Sequence, residues 1–351
     1  MEIVERICIS VNTRCNLGCK YCYFFNPENR INHEKDLSED EIYNILLKIN
    51  DYAGLPHVNK KIKINFVGSG EPLLTWKNIR NAVRKFSEIK SDKIKFYTVT
   101  NGTLITDKIA EELKELNIFP SISLDGYEEI HNLYRLDHRG KGSFKQTMKG
   151  IETLRKHGFN IAVNTVASKT LSNNLEKFFM FLKSQNIKKV IFDRLVDVPS
   201  FFDDLLNYDE YYRFLEEVHN TLKRLNLTGE IEVGNLEAYK RSFAGKPDKV
   251  CTMFGSSCGA GTNFIIYIGQ EVYPCGRMFG MKEWVIGNIN DSIQDIQKNM
   301  YAKLPHREDC LSCEVRKYCI RDCLLEQKQK NYSCNSRIDF LKNMLIKYEE
   351  L

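Results

Sequence analysis

No apolar run in this sequence approaches the roughly 18 to 20 residues that a membrane span requires. The first residues, Met1 to Arg6, carry no basic segment leading into an apolar stretch. The usual signals of insertion and secretion are thus missing, and the expectation is a cytoplasmic protein with no membrane partner. A dense Lys/Arg block is also missing: the formal net charge of +5 is spread over interspersed signs, so nucleic acid is not expected as a partner. Basic and aromatic residues are not interleaved as densely as in single-strand binders. No internal repeat or low-complexity linker occurs. What remains, 351 residues with 42% hydrophobic and 28% charged side chains, is a packed globular composition, enough for one barrel-type domain or two ordinary ones.

Against that background the twelve cysteines stand out. A reducing compartment disfavours structural disulfides and turns attention to metal ligation or redox chemistry. Cys8 alternates into the first expected strand and reads as a buried core thiol.

Short β-branched runs at Ile7–Val11, Lys63–Val67, Phe96–Thr100, Phe119–Leu124, Ile161–Val166 and Val190–Leu195 predict buried strands. Amphipathic stretches alternate with them: Ser38–Asp51, opened by a Ser-x-x-Glu capping box, then Trp76–Ile89, Asp107–Leu116, Ser143–His157 and Asn174–Asn186. Repeated βα units imply a parallel sheet, closed or partly closed. Tyr208–Leu225 predicts a further helix. Beyond about Thr228 the pattern shifts to Gly, Cys and Pro punctuation with short strands such as Phe264–Ile268. Dense cysteine and weak apolar periodicity there suit a module held by metal.

Cys15, Cys19 and Cys22 form C-x3-C-x2-C directly after the first expected strand, with Gly18 available for a tight turn. Three thiolates converging on a cubane leave one iron open, and an open position is where chemistry happens. A zinc loop or three unrelated buried cysteines are the alternatives. Three further segments fall at successive strand ends: Gly68-Ser69-Gly70-Glu71-Pro72, Thr100-Asn101-Gly102 and Ser123-Leu124-Asp125-Gly126. Parallel barrels build active sites from the loops after their strands, so these motifs should converge on one mouth.

This constellation resembles the radical S-adenosylmethionine (radical SAM) superfamily. The resemblance implies an α/β fold, a partial (β/α)6 TIM-like barrel with a small Cys-rich domain. It also implies a [4Fe–4S] cluster on Cys15, Cys19 and Cys22 whose open iron chelates S-adenosylmethionine and cleaves it to a 5'-deoxyadenosyl radical. Tyr21 matches the position lying against the adenine. Gly70 and Glu71 match the segment that approaches the methionyl ammonium, with Ser69 in place of a glycine. Asn101, Ser123 and Asp125 fall in further cofactor-contacting segments, and Leu195 is placed to pack on the adenine. Arg135 is the expected carboxylate clamp, with Arg139 as competitor and a solvated surface arginine as the alternative.

Cys310, Cys313, Cys319, Cys323 and Cys334 run C-x2-C-x5-C-x3-C-x10-C, which resembles the SPASM domain of peptide-modifying radical SAM enzymes. A zinc ribbon is the alternative. Carried over residue by residue, the resemblance implies one auxiliary cluster on Cys251, Cys258, Cys275 and Cys323 and another on Cys310, Cys313, Cys319 and Cys334, giving three [4Fe–4S] clusters in all. The glycine usual five residues before Cys275 is Gln270, with Gly269 one place earlier, so the turn type of that hairpin is open. The expected division is residues 1–228 for the barrel and 229–351 for the SPASM domain with a C-terminal helix.

Auxiliary clusters ligated only by cysteine suit electron transfer, and the family's substrates are side chains within a peptide or protein. Resemblance along the whole chain extends to anaerobic sulfatase-maturating enzymes. Those place an aspartate base directly after the cysteine corresponding to Cys275, where this chain has Gly276. The favoured expectation is therefore a maturase of a ribosomally made peptide, with a sulfatase maturase as second reading and an electron-transfer or scaffold protein as a third. Asp193 or Tyr23 could supply a base at the barrel mouth. A flavodoxin or ferredoxin is the expected electron donor. With Cys15 so early, leader recognition is expected on a separate protein or on the barrel and SPASM surface.

Overall fold

The computed structural model describes residues 3–22, 24, 36–67, 69–195, 202–245, 260, 263–303, 312–316, 318–319, 323 and 334–349. Six parallel strands occupy the segments whose β-branched runs predict them: β1 (Arg6–Ser10), β2 (Ile62–Val67), β3 (Ile94–Thr100), β4 (Ile118–Ser123), β5 (Ala162–Ala167) and β6 (Lys189–Arg194). Between them run α1 (Glu39–Ala53), α2 (Trp76–Ser87), α3 (Asp107–Glu115), α4 (Glu128–Tyr134), α5 (Phe144–Lys156), α6 (Lys169–Ser172) and α7 (Leu175–Ser184). The α1 capping box forms as its sequence demands. The Glu41 N–H donates to Ser38 Oγ at 3.2 Å and the Ser38 N–H to Glu41 Oε2 at 2.8 Å.

After β6 the chain forms α8 (Tyr208–Arg224), β7 (Glu232–Val233), α9 (Gly234–Phe243), β8 (Phe264–Ile268), β9 (Glu271–Tyr273), β10 (Gly287–Asn288), α10 (Ile293–Tyr301) and α11 (Asn335–Glu349). The sheet order is β10-β9-β8-β1-β2-β3-β4-β5-β6-β7. Residues beyond 228 thus extend both edges: β7 lies parallel to β6, and β8 lies parallel to β1 before turning back antiparallel through β9 and β10. At the β8–β9 hairpin Gly269 takes φ +59 while Gln270 keeps a negative φ. That is the pattern of a two-residue turn needing glycine only in its first central place, so the displaced glycine sits where the turn demands it.

Alternation along the strands sorts the two faces. Ile62, Ile64 and Phe66 of β2 are fully buried, and Phe66 stacks on Phe96 of β3, which meets Phe86 of α2 edge-on. That face belongs to the helices. Cys8, Asn65, Tyr97 and Phe119 share one register row on the other, inner face. The last helix is tied to the barrel by aromatic packing: Phe340 of α11 lies 5.0 Å from both Tyr212 of α8 and Tyr239 of α9. Among the described residues no helix is long and apolar enough to cross a membrane.

Helix α5 is pressed against the loop after β3. A Cβ on Gly150 would lie 2.1 Å from the Gly102 carbonyl oxygen, and Gly102 itself takes φ +78. Gly→Ala inside a helix ordinarily stabilises by roughly 0.5–1 kcal/mol, but overpacking costs roughly 1–3 kcal/mol. Gly150→Ala is therefore expected to lower the melting temperature, and a neutral or stabilising result would show that the helix can withdraw from the loop.

Candidate active site

The C-terminal ends of β1 to β6 form one rim, and the first cysteine segment lies across it. The Gly18 N–H donates to the Leu136 carbonyl at 2.8 Å and the Lys20 N–H to that of Tyr134 at 3.0 Å, so the loop adds to the segment that leaves α4. On its other side Asn101 Nδ2 donates to Asn16 Oδ1 at 2.9 Å, and Asn16 Nδ2 donates to Thr103 Oγ1 at 2.8 Å. Thr103 in turn returns its N–H and hydroxyl to Asn101 Oδ1. The Thr-Asn-Gly motif thus braces the residue next to Cys15.

Asp125, at the end of β4, is the hub of the rim. Its Oδ2 accepts from the Tyr21 hydroxyl at 2.6 Å and from Arg135 Nε at 2.9 Å, and its Oδ1 accepts from Arg135 Nη2 at 3.1 Å and the Val166 N–H at 3.0 Å. All three side chains are buried. The Arg135 guanidinium also lies over the Tyr21 ring, 5.5 Å from its centroid. Behind the pair, His131 Nδ1 accepts the Asp125 N–H at 3.4 Å, which assigns the proton to Nε2. Nε2 then donates to Ser143 Oγ at 3.0 Å, and that hydroxyl donates to the Arg135 carbonyl at 2.8 Å. Burial and the neighbouring Arg135 push His131 down to about 3, so the ring stays neutral.

The loop after β2 is held as tightly. Glu71 is buried; its Oε1 accepts from the Leu73 N–H and the Thr100 hydroxyl at 3.1 and 2.6 Å, and its Oε2 accepts the Asn101 N–H at 2.8 Å. Burial pushes its carboxyl up to about 7 against the pull of those three donors. Glu71 therefore splices the ends of β2 and β3. Gly70 is demanded by the main chain: a Cβ there would sit 1.9 Å from the Arg14 carbonyl oxygen, and that carbonyl accepts the Glu71 N–H at 2.7 Å. Ser69 is accommodated by Ser10, whose hydroxyl accepts the Ser69 N–H at 2.8 Å and lies 2.9 Å from the Ser69 hydroxyl. Gly68 lies outside the described residues.

Tyr21, Val166, Leu195 and Phe202 form a small apolar cluster apart from the main core, with Cys19 and Tyr134 packed against it. Phe202 meets Tyr21 edge-on at 5.8 Å and Tyr134 at 5.3 Å. No motif announces Phe202 or Tyr134. Ser123 shares the rim through its register with Asn164. The thiols of Cys15 and Cys19 are pushed up to about 12 by burial, and each is raised further by the charge of Cys22. Neighbouring buried thiols of this kind become thiolates only beside strong positive charge, so this donor set fits an iron–sulfur cluster.

In the C-terminal region Cys275 precedes a 3₁₀ turn at Gly276–Met278. Cys323 is buried, and Cys313 and Cys319 are partly buried against the core. Cys334 Sγ accepts from Arg337 Nη2 at 3.3 Å. Cys251, Cys258, Cys310 and Tyr23 lie outside the described residues. Among the described residues no group of three or more His, Cys, Asp or Glu closes around a single metal ion.

Residues 9–182 match the model of the radical SAM superfamily. The chain is 30% identical to the uncharacterized protein MJ0907 of Methanocaldococcus jannaschii over 320 residues, which are 91% of this chain and 97% of that one. This chain belongs to the radical SAM superfamily. Over 95% of its length it is 28% identical to 90% of a cysteine-type anaerobic sulfatase-maturating enzyme of Clostridium novyi, and over 94% it is 26% identical to 70% of the radical SAM cyclopropyl synthase TigE of Paramaledivibacter caminithermalis. The fold is that of native anSMEcpe with bound AdoMet, at a TM-score of 0.82, 21% identity and 98% of each chain. It is also that of Streptococcus suis SuiB bound to precursor peptide SuiA, at a TM-score of 0.68 and 18% identity over 94% of this chain and 74% of that one. S-adenosylmethionine and a [4Fe–4S] cluster are accordingly its cofactors.

Removing the Glu71 carboxylate would strand the Thr100 hydroxyl and two main-chain N–H groups in a buried place. Each orphaned group costs about 1–3 kcal/mol. Glu71→Ala is expected to lower the melting temperature and weaken S-adenosylmethionine binding together; unchanged affinity in a folded variant would free the loop from any part in the cofactor site.

Proposed function

We propose that the chain is a radical SAM maturase that oxidises or crosslinks side chains of a ribosomally made peptide. When bound, the cluster and S-adenosylmethionine supply a 5'-deoxyadenosyl group that removes a hydrogen atom from the substrate. In this reading Cys15, Cys19 and Cys22 hold the cluster, while Tyr21 and Leu195 flank the adenine. Gly70, Glu71, Asn101 and Ser123 shape the rim around the methionyl group, and Asp125 and Arg135 act chiefly through their pair, which fixes Tyr21 and the cysteine loop. Residues 229–351 carry two auxiliary clusters, on Cys251, Cys258, Cys275 and Cys323 and on Cys310, Cys313, Cys319 and Cys334. Held there, such clusters would supply a sink for an electron from the substrate, a flavodoxin or ferredoxin would serve as electron donor to the chain, and the reaction would take place in the cytoplasm.

The observation that carries this reading is Gly276. It is buried at the start of the turn after Cys275 and has no side chain to accept a proton. A positioned proton acceptor is worth typically about 100- to 10,000-fold in rate. The sulfatase-maturase reading is supported by the likeness to the Clostridium novyi enzyme over most of both chains. Mass spectrometry of a Cys-x-Pro-x-Arg peptide after incubation with reduced protein and S-adenosylmethionine separates the two. At most trace conversion to formylglycine is expected, and robust turnover would restore the sulfatase reading.

Iron analysis tests the cluster assignment. Protein reconstituted anaerobically should hold close to three cubanes, and replacing Cys15, Cys19 and Cys22 together by Ala should remove one. Unchanged iron in that variant, or zinc in its place in the C-terminal half, would contradict the assignment.

A further inference from the structure

Asp193 lies near the C-terminal end of β6, in register with Val166 of β5. Val166 packs with Tyr21 and Leu195 beside Cys19, so its side of the sheet is the barrel lumen under the cysteine loop. Alternation puts Asp193 on that same side, whereas its neighbour Phe192 packs among Phe178, Phe179 and Phe214 of the helices. The Asn164 side chain, one step down β5, hydrogen-bonds to Asp193. The Asp193 Oδ1 atom is sealed from solvent and has no hydrogen-bond partner among the described residues. A sealed, unpartnered carboxylate oxygen is uncommon in a native structure and calls for a functional explanation.

The charged groups facing Asp193 come from three elements. Arg135 at the end of α4 and Arg277 in the turn after Cys275 are cationic, and Asp125 at the end of β4 is anionic. Arg277 is buried and donates Nη2 to the Arg194 carbonyl at 2.6 Å, which pins the Cys275 turn onto the end of β6. A carboxylate thus stands on the strand end to which the Cys275 turn is pinned, at a place other than position 276. Burial pushes Asp193 up to about 8 although both arginines pull it down, which leaves a group close to proton balance near neutral pH.

We propose that Asp193 is the proton acceptor for the peptide substrate, a role that rests on the maturase reading above. The substrate first loses one hydrogen atom, which forms a C–H bond in 5'-deoxyadenosine. Its remaining unpaired electron passes to an oxidised iron–sulfur cluster of the C-terminal region as Asp193 Oδ1 takes the proton. The peptide has then lost two hydrogens, and the acid returns its proton to solvent. Arg277 acts as a positioning residue, holding the Cys275 turn against this strand end.

The test uses full-length reconstituted holoenzyme with dithionite, S-adenosylmethionine and synthetic peptides encoded by short open reading frames beside the gene. The rate of forming product lighter by two hydrogens should rise with pH through about 8 in the wild type, because the base must be ionised. Asp193→Asn should lower that rate by about 100- to 10,000-fold and abolish the rise, with Asp193→Glu restoring part of both. A wild-type rate and pH profile in Asp193→Asn would overturn the assignment. Infrared difference spectra of the peptide-free holoenzyme, taken below and above pH 8, should show a carboxylic acid band that Asp193→Asn lacks; a spectrum that the substitution leaves unchanged overturns it too. If the wild type modifies none of the peptides, the peptide reading fails, and the infrared band alone decides on Asp193.

Discussion

The candidate site depends on one buried carboxylate. Asp125 receives four hydrogen bonds from three segments of chain: the cysteine loop through Tyr21, the end of α4 through Arg135 and the C-terminal end of β5 through Val166. Removing one partner of a buried, hydrogen-bonded pair typically costs about 3–5 kcal/mol, since the other charge is left uncompensated. Here the loss would not stay local. Tyr21 lies between Cys19 and Cys22 in the sequence, so whatever fixes Tyr21 fixes the spread of the three thiols.

Two further clamps complete the frame. Glu71 joins the loops after β2 and β3, and Asn101 joins the loop after β3 to the residue beside Cys15. Among the described residues the loops after β1 to β4 are therefore each held by a neighbour, which fits a site that must keep a reactive group in one place while excluding water. The C-terminal region closes the same frame from the other edge, through β8 against β1 and Arg277 against the end of β6.

Much of this is legible in the sequence, for physical reasons. Strands of a parallel sheet covered by helices are continuous β-branched runs, so β1 to β6 stand where those runs predict. Motifs at strand ends converge because the register aligns those ends. What one dimension hides is who pairs with whom. Asp125 and Arg135 are each legible as residues of the mouth, but their bidentate pairing, ten residues apart across a loop and a short helix, follows only from the fold. Gly70 is legible as a place of close approach, while the atom that approaches it, the Arg14 carbonyl oxygen, is not. Phe202 belongs to no motif, and β7, at two residues, is too short to show a period. Asp193 is visible as a candidate base, but its sealed oxygen and the arginine from the Cys275 turn are properties of three dimensions.

If Cys15, Cys19 and Cys22 hold the cluster as proposed, the Asp125–Arg135–Tyr21 network keeps their loop in the shape that binds both cluster and cofactor. The most direct measurement is the electron paramagnetic resonance of reduced, reconstituted Asp125→Asn, recorded with and without S-adenosylmethionine. The change in the cluster signal on adding S-adenosylmethionine, expected of the wild type, should be lost or strongly weakened in the variant. A wild-type signal with a wild-type response to S-adenosylmethionine would contradict it.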